Sequence, residues 1–326
     1  MRFSLLPYLM CPSCSGDLSL AQKDVEESGH LMEGMLLCRV CGHGYPIRRG
    51  VPLLLDREEE PLQRQVSETF GFEWDRFPSH RDFMASSALL RDFLQLECGA
   101  TSPMADGVVV EGGCGSGRWL PRVHEDLGAA TVIGMDISSS VHHAFRLTRE
   151  NPFIHVIQAD IRKPPLRPSA DVVYSLGVID HLENPLEGFR GLLRCLRPGG
   201  LIFLWIYAWE GNLTYLRLIG PLRRWTTRMN RRCLYGLSRV MGVFLYGIIH
   251  SIYRVSLPLP YRSYFSVLRK LRVEDLGLVI FDQLAPPVAH YLRKEEVERL
   301  FREAGATLSA VFHRNQNSWT AHGFLP

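Results

Sequence analysis

The stretch Val108-Val109-Val110-Glu111-Gly112-Gly113-Cys114-Gly115-Ser116-Gly117 decides the fold. Three β-branched apolar residues run into an acid and then into glycines two apart. That is the pattern of a buried strand ending in a tight turn that opens a helix. Positions without side chains let a ligand approach the main chain closely, so the turn marks the place of a nucleotide-like ligand. A dinucleotide fingerprint needs Gly-x-Gly-x-x-Gly or Ala. Counted from Gly113 its last position is Arg118, and counted from Gly115 it is Leu120, so that class is excluded. What fits is Glu-x-Gly-x-Gly-x-Gly, from Glu111 to Gly117.

Outward from the turn, the apolar-then-acidic pattern repeats. Val132 to Asp136 is a second buried strand ending in an acid, 19 residues beyond Gly117. An aspartate there can accept both hydroxyls of a ribose, each a charge-assisted bond of about 1.5–3 kcal/mol. His155 to Asp160 is a third such strand. Asp171 to Gly177 is a fourth, leading into Val178-Ile179-Asp180-His181-Leu182. Leu196-Arg197-Pro198-Gly199-Gly200 then turns into a fifth strand. These five elements, from about residue 108 to 208, resemble in order the class I S-adenosylmethionine-dependent methyltransferases.

The resemblance implies an α/β fold with a Rossmann-like seven-stranded sheet. It implies S-adenosylmethionine as cofactor, held by Glu111, Gly113, Cys114, Gly115, Gly117, Asp136, Ile137, Asp160, Ile161 and Leu176. Glu111 would lie near the cofactor's amino-acid portion and Asp160 would face the adenine amino group. Ile161 would pack on the ring. The chemistry implied is in-line displacement at a sulfonium methyl, in which the enzyme mainly supplies alignment and removal of water. A base helps where the acceptor must lose a proton. Candidates are His181 after the fourth strand and His290 on a late loop, with Tyr207 at the end of the fifth strand as hydrogen-bonding partner.

Four of the eight cysteines form Cys11-x-x-Cys14 and Cys38-x-x-Cys41, two pairs separated by 23 residues. Four thiolates at this spacing suit tetrahedral structural zinc, which leaves no open position for chemistry. The segment from Cys38 through Tyr45-Pro46-Ile47 to Val51-Pro52 resembles the small zinc-ribbon protein that activates tRNA and translation-factor methyltransferases. Here it is fused ahead of its enzyme, over roughly residues 5–56. Cys98, Cys114, Cys195 and Cys233 are scattered and read as small buried hydrophobes. The apolar N-terminus from Arg2 to Met10 is too short for a secretory signal, and no run reaches the ~18 apolar residues that span a bilayer. The expected location is cytoplasmic and reducing.

The organisation expected is a zinc ribbon over 1–56 and a linker with a helical, aromatic segment over 57–105. A cofactor-binding half follows over 106–210, then a basic helical insertion or lid over 211–275 and a closing methyltransferase part over 276–326. In the linker, Phe70, Phe72 and Trp74 either fold over the cofactor or pack the ribbon against the enzyme. In the closing part, Phe281 to Tyr291 reads as a loop at the acceptor pocket, Leu292 to Gly305 as an amphipathic helix, and the last two segments as an antiparallel edge pair.

Charge is the second unusual feature. Between Gly211 and Val273 stand twelve Arg or Lys and no Asp or Glu, while the whole chain carries only +3. The expected partner is a small-molecule or lipid-like methyl acceptor beneath this lid. Residues 211–273 would also dock on an anionic membrane surface, giving a peripheral location. RNA is the less favoured partner, because the apolar content is high for a phosphate-facing surface. An RNA- or protein-directed methyltransferase, or a non-catalytic cofactor-binding scaffold, is the alternative function.

Overall fold

The computed structural model describes all residues except 28, 56–59, 77–85, 98–100 and 255–260. Cys98 therefore lies outside the described residues, as does most of the charged break after the ribbon. The ribbon consists of β1 (Leu18–Glu27), β2 (His30–Cys38), β3 (Gly44–Arg48) and β4 (Val51–Leu54), all paired antiparallel in that order. Two helices follow, α1 (Pro61–Arg76) and α2 (Ser87–Phe93).

The central unit then alternates strand and helix: β5 (Val108–Gly112), α3 (Leu120–Glu125), β6 (Thr131–Asp136), α4 (Val141–Thr148), β7 (Ile154–Ala159), β8 (Ala170–Leu176), α5 (Pro185–Arg194) and β9 (Leu196–Tyr207). Val109, Val110, Val132, Ile133, Val172 and Val173 are buried, as expected of parallel strands covered on both faces. The chain closes with α10 (Lys294–Ala304), β10 (Thr307–Arg314) and β11 (Ser318–Phe324). Helix α10 stops where Gly305 takes φ 78°, a left-handed C-cap.

The seven strands expected are present in the order β7-β6-β5-β8-β9-β11-β10, with β11 antiparallel to both its neighbours. The sheet nevertheless has eleven strands. Ribbon strand β4 pairs in parallel with β7, Leu53 opposite Gln158 and Leu54 opposite Ala159, so the ribbon extends the catalytic sheet. Met10 N donates to Pro165 O at 2.9 Å, and Arg167 N to Tyr8 O at 2.8 Å. Leu5, Leu9, Tyr45 and Ile47 share one core with Ile157, Ala159 and Leu166. The ribbon is small and cannot bury a sizeable core alone, and its apolar face is completed by the edge of the larger domain.

Between β9 and α10 lies a helical cap: α6 (Leu213–Thr226), α7 (Arg231–Ser251), α8 (Arg262–Leu268) and α9 (Val273–Leu284). Helices α7 and α9 meet at Gly242, where a Cβ would stand 2.8 Å from Gly277 N. Leu234, Leu278, Phe281 and Leu284 form the seam beside this crossing. The cap thus runs to residue 284, and Phe281–Leu284 is the last turn of α9 rather than part of a loop. Burial of Phe281 and Leu284 in the seam carries the helix across them. Helix α7 is long and apolar enough to cross a bilayer by length and composition alone.

Candidate functional site

Strand order reverses between β6 and β8 around β5, and in open parallel sheets ligands bind beyond the carboxyl ends at such a point. A cavity of about 480 Å³ opens there and reaches up to the cap. Of the glycine turn, Gly113 lines this cavity, whereas Cys114, Gly115 and Gly117 are not among its wall residues. Gly113, Gly115 and Gly117 have φ of 79°, 53° and 76°, conformations that a side chain strongly disfavours. The amides of Gly113 and Cys114 both donate to Met135 O, at 2.8 and 3.0 Å, locking the turn to β6. Cys114 itself is buried beneath the turn.

Asp136 fastens the other side of this turn. It accepts from Gly115 N at 2.8 Å through Oδ2, and through Oδ1 from Ser138 N at 2.8 Å and Ser138 Oγ at 2.7 Å. It also lines the cavity together with Gly113, Ile137, Asp160, Ile161 and Leu176. Asp160 is engaged as well, taking Arg162 Nε on Oδ2 at 2.9 Å and Arg162 N on Oδ1 at 2.8 Å. Arg162 Nη2 also lies 2.8 Å from Oδ2, so it is Oδ1 that keeps a lone pair for a ligand.

Glu111 does not line the cavity. It is 2 % exposed, its Oε2 is buried without a hydrogen-bond partner, and burial pushes its carboxyl up to about 8 despite the neighbouring Tyr174 hydroxyl and Arg118 guanidinium. A raised folded-state value makes the native state hold a proton that the unfolded chain has released. Stability is therefore fully present below the ordinary glutamate value, near 4.5, and is lost as pH rises through about 8. At about 1.4 kcal/mol per unit the effect amounts to several kcal/mol. Glu111→Gln is expected to flatten this loss, so that urea midpoints of wild type and variant diverge between about pH 5 and pH 8. Parallel curves would refute the assignment.

On the cap side, His181 and Tyr207 line the cavity with ring centroids 6.0 Å apart. His181 Nδ1 lies 2.8 Å from Val288 O. A carbonyl oxygen only accepts, so Nδ1 carries the proton and Nε2 keeps its lone pair. Burial lowers the affinity of the ring for a second proton. His290 is placed differently. It is absent from the cavity wall, and its Nε2 donates to Leu182 O at 2.9 Å, tying the segment after α9 to the segment after β8. The sequence-based placing of His290 as a base therefore gives way to an anchoring position.

Asp282, Gln283 and Tyr291, from the segment expected at the acceptor pocket, do line the cavity, and Tyr215 joins them. Tyr207 Oη donates to Asp282 Oδ2 at 3.1 Å, and Gln283 Nε2 donates to Tyr207 Oη at 3.3 Å. Tyr215 and Tyr291 hydroxyls donate to Gln283 Oε1 at 2.6 and 3.2 Å. Asp282 and Gln283 come from α9, so only the cap's docking brings them to β9. The aromatic segment also finds its place: Phe70 packs edge-on against His181 at 5.0 Å, and Phe72 lies 5.9 Å from Phe281. The Trp74 indole covers Gly115, where a Cβ would stand 2.8 Å from Nε1. Helix α1 thus roofs the crevice.

At the far end, the ligand atoms of Cys11, Cys14, Cys38 and Cys41 all lie within 4.8 Å of one another. Cys11 and Cys41 sulfurs are 3.7 Å apart, Cys14 and Cys38 sulfurs 3.5 Å. Zinc–thiolate bonds of ~2.3 Å in a tetrahedron give edges of about 3.8 Å, so the four thiolates fit structural zinc. Tyr45 Oη, 3.2 Å from Cys11 Sγ, supplies an outer partner.

Comparison with known proteins agrees with this geometry. Residues 110–204 match the family described as "Methyltransferase domain", and residues 2–50 the family described as "Trm112p-like protein". The fold and site define a class I methyltransferase domain carrying an N-terminal zinc ribbon. The ribbon is Trm112-like. Among curated relatives, the tRNA U34 carboxymethyltransferase of Pseudoalteromonas atlantica is 31 % identical over 115 residues, covering 34 % of this chain and 35 % of that one. The protein of the same name from Geobacter sp. strain M21 is 35 % identical over 116 residues, with 34 % and 35 % covered. The chain spans about a third of the length of the curated relatives it matches. Among solved structures, a complex between the Haloferax volcanii Trm112 methyltransferase activator and a methyltransferase matches with a TM-score of 0.50 at 14 % identity, over 80 % of this chain and 97 % of that one. These relatives overturn the expected small-molecule or lipid-like acceptor and the membrane surface at residues 211–273, since their names place them on tRNA.

Proposed function

We propose that this chain is an S-adenosylmethionine-dependent methyltransferase acting on RNA, with a nucleobase entering the cap side of the cavity. The observation that carries the reading is that about a third of this chain is 31–35 % identical to tRNA U34 carboxymethyltransferases. The cap supports it. Twelve basic residues without an acid run from Gly211 to Val273, and Trp225 and Phe244 stand 78 % and 69 % exposed among them. When bound, the cofactor supplies a methyl group activated on a sulfonium. Asp136 holds its ribose, the glycine turn passes beneath it, and α1 excludes water above it. Tyr207 and Tyr291, stacked at 5.2 Å, offer aromatic surface to a base, and the Tyr207–Asp282–Gln283 network offers its edge polar partners. His181 Nε2 takes the acceptor's proton.

Incubation with methyl-labelled cofactor and total tRNA should place label in the RNA fraction, and mass spectrometry of the digested nucleosides reads the added group. Label that never enters RNA overturns the proposal. For the cap, Arg223 and Arg231 are engaged, with Pro286 O and with Glu68, whereas Arg224, Arg228 and Arg232 are exposed. Reversing those three to glutamate should reduce the slope of log affinity against log salt by about 2–3. A slope that does not change would remove this face from the RNA interface.

A further inference from the structure

A second cleft, of about 420 Å³, lies on the ribbon side of the molecule and has no part in the reading above. It opens between the first zinc knuckle, the end of β4 and α5, and its apolar wall is Pro12, Leu54, Leu55 and Ile137. Its acids are already engaged. The half-buried Arg162 takes two of them, Nε donating to Asp160 Oδ2 at 2.9 Å and Nη1 to Glu60 Oε2 at 2.7 Å. The third, Glu187, accepts from Asn184 Nδ2 at 3.3 Å.

The remaining cations of the cleft are Lys163, Arg190 and Arg194. Arg190 and Arg194 are exposed and one turn apart on α5, so they share a face. Like charges at this spacing repel, a cost that an anion between them removes. Arg190 Nη2 donates to Glu303 O at 2.8 Å, which steadies the guanidinium and leaves its other N–H groups for a ligand. Forked guanidiniums beside an apolar wall suit a nucleotide unit, its phosphate on the arginines and its sugar and base on the wall.

The place of the cleft ties it to the catalytic cavity. Ile137 and Asp160 line both. From that shared wall the cavity extends to Leu218 and Tyr261 of the cap. Strand β7, which leads to Asp160, and β9, which leads to the cap, stand four positions apart in the sheet, about 19 Å. A polyanion that touches both cleft and cap therefore crosses the cavity.

We propose that this cleft seats a phosphodiester of the RNA substrate, gripped by Arg190 and Arg194, away from the base that enters the cavity. This rests on the RNA reading above and adds a contact site remote from the cap. Held at both places, the strand is fixed in register over the cavity.

The test is binding of labelled total tRNA to the full chain by fluorescence anisotropy over a range of salt, beside calorimetric titration with S-adenosylhomocysteine. Arg190→Gln combined with Arg194→Gln should weaken tRNA about tenfold and lower the slope of log affinity against log salt by about 1–2, since each phosphate contact contributes ~0.7–0.9. S-adenosylhomocysteine affinity and the urea midpoint should keep their wild-type values. Arg194→Gln alone, which leaves the Arg190–Glu303 contact in place, should give about half the loss of slope. The loss should add to that from reversing Arg224, Arg228 and Arg232 in the cap. A double variant with wild-type tRNA affinity and slope overturns the cleft site and leaves the RNA reading standing. Equal losses for tRNA and S-adenosylhomocysteine overturn it as well, by making the arginines structural. A wild type that binds no tRNA overturns the RNA reading itself, and the cleft site with it.

Discussion

Stripping zinc from the ribbon, by chelation or by Cys38→Ser, is expected to lower the stability of the whole protein and its affinity for S-adenosylhomocysteine. Structural zinc contributes about 10–16 kcal/mol of apparent binding energy in small zinc domains, and that energy is folding energy. Here the ribbon is not a separate bead. Its β4 completes the edge beside β7, and Leu5, Leu9, Tyr45 and Ile47 cover Ile157 and Ala159. Ala159 immediately precedes Asp160, and Leu54 is its partner across the sheet edge. Loss of the metal therefore exposes the strand that carries one of the cofactor acids. Metal analysis should give one zinc per chain. Chelation should lower the thermal midpoint by many degrees and weaken the nucleoside at least several-fold. A midpoint and an affinity that survive complete zinc removal would show that packing alone holds the ribbon.

The second large effect is expected at Asp136. Its carboxylate is assigned to the ribose; three protein donors leave one lone pair, on Oδ2, so one charge-assisted bond of about 1.5–3 kcal/mol is at stake. Asp136→Ala should weaken S-adenosylhomocysteine well over tenfold by calorimetry, and an unchanged affinity would refute the cofactor assignment. The sequence alone suggests that the fold would be untouched, but the structure gives the residue a second duty. Three donors, Gly115 N, Ser138 N and Ser138 Oγ, converge on it. Removing the acceptor leaves buried donors unsatisfied, at about 1–3 kcal/mol. The same substitution should therefore also lower the urea midpoint. Asp136→Asn, which keeps one acceptor, should separate the two effects by retaining most of the stability while losing affinity.

The strands and their order of function were legible because local chemistry announces them. Val108–Val110 before Glu111, Val132–Ile133 before Asp136 and Val172–Val173 in β8 are short β-branched apolar runs closed by acids and glycines, the local pattern of buried parallel strands. The zinc ligands were legible because two short Cys-x-x-Cys spacings constrain four sulfurs with little help from the rest of the chain. His290 misled because a histidine on a polar loop looks the same in sequence whether its ring faces a cavity or a carbonyl. Phe281–Leu284 misled because the helix there is held by contacts with α7, far away in sequence.

By itself, then, the chain's order of residues determined the class of sheet, the glycine turn with its acidic neighbours, and the metal knuckles. These depend on torsion preferences and on spacings of a few residues. Tertiary packing alone decided that the ribbon lengthens the sheet, that α1 roofs the crevice with Trp74, and that α9 delivers Asp282 and Gln283 to Tyr207. Those meetings join segments separated by roughly 40 to more than 100 positions. Burial of whole faces selects them, and no local pattern encodes which face will meet which.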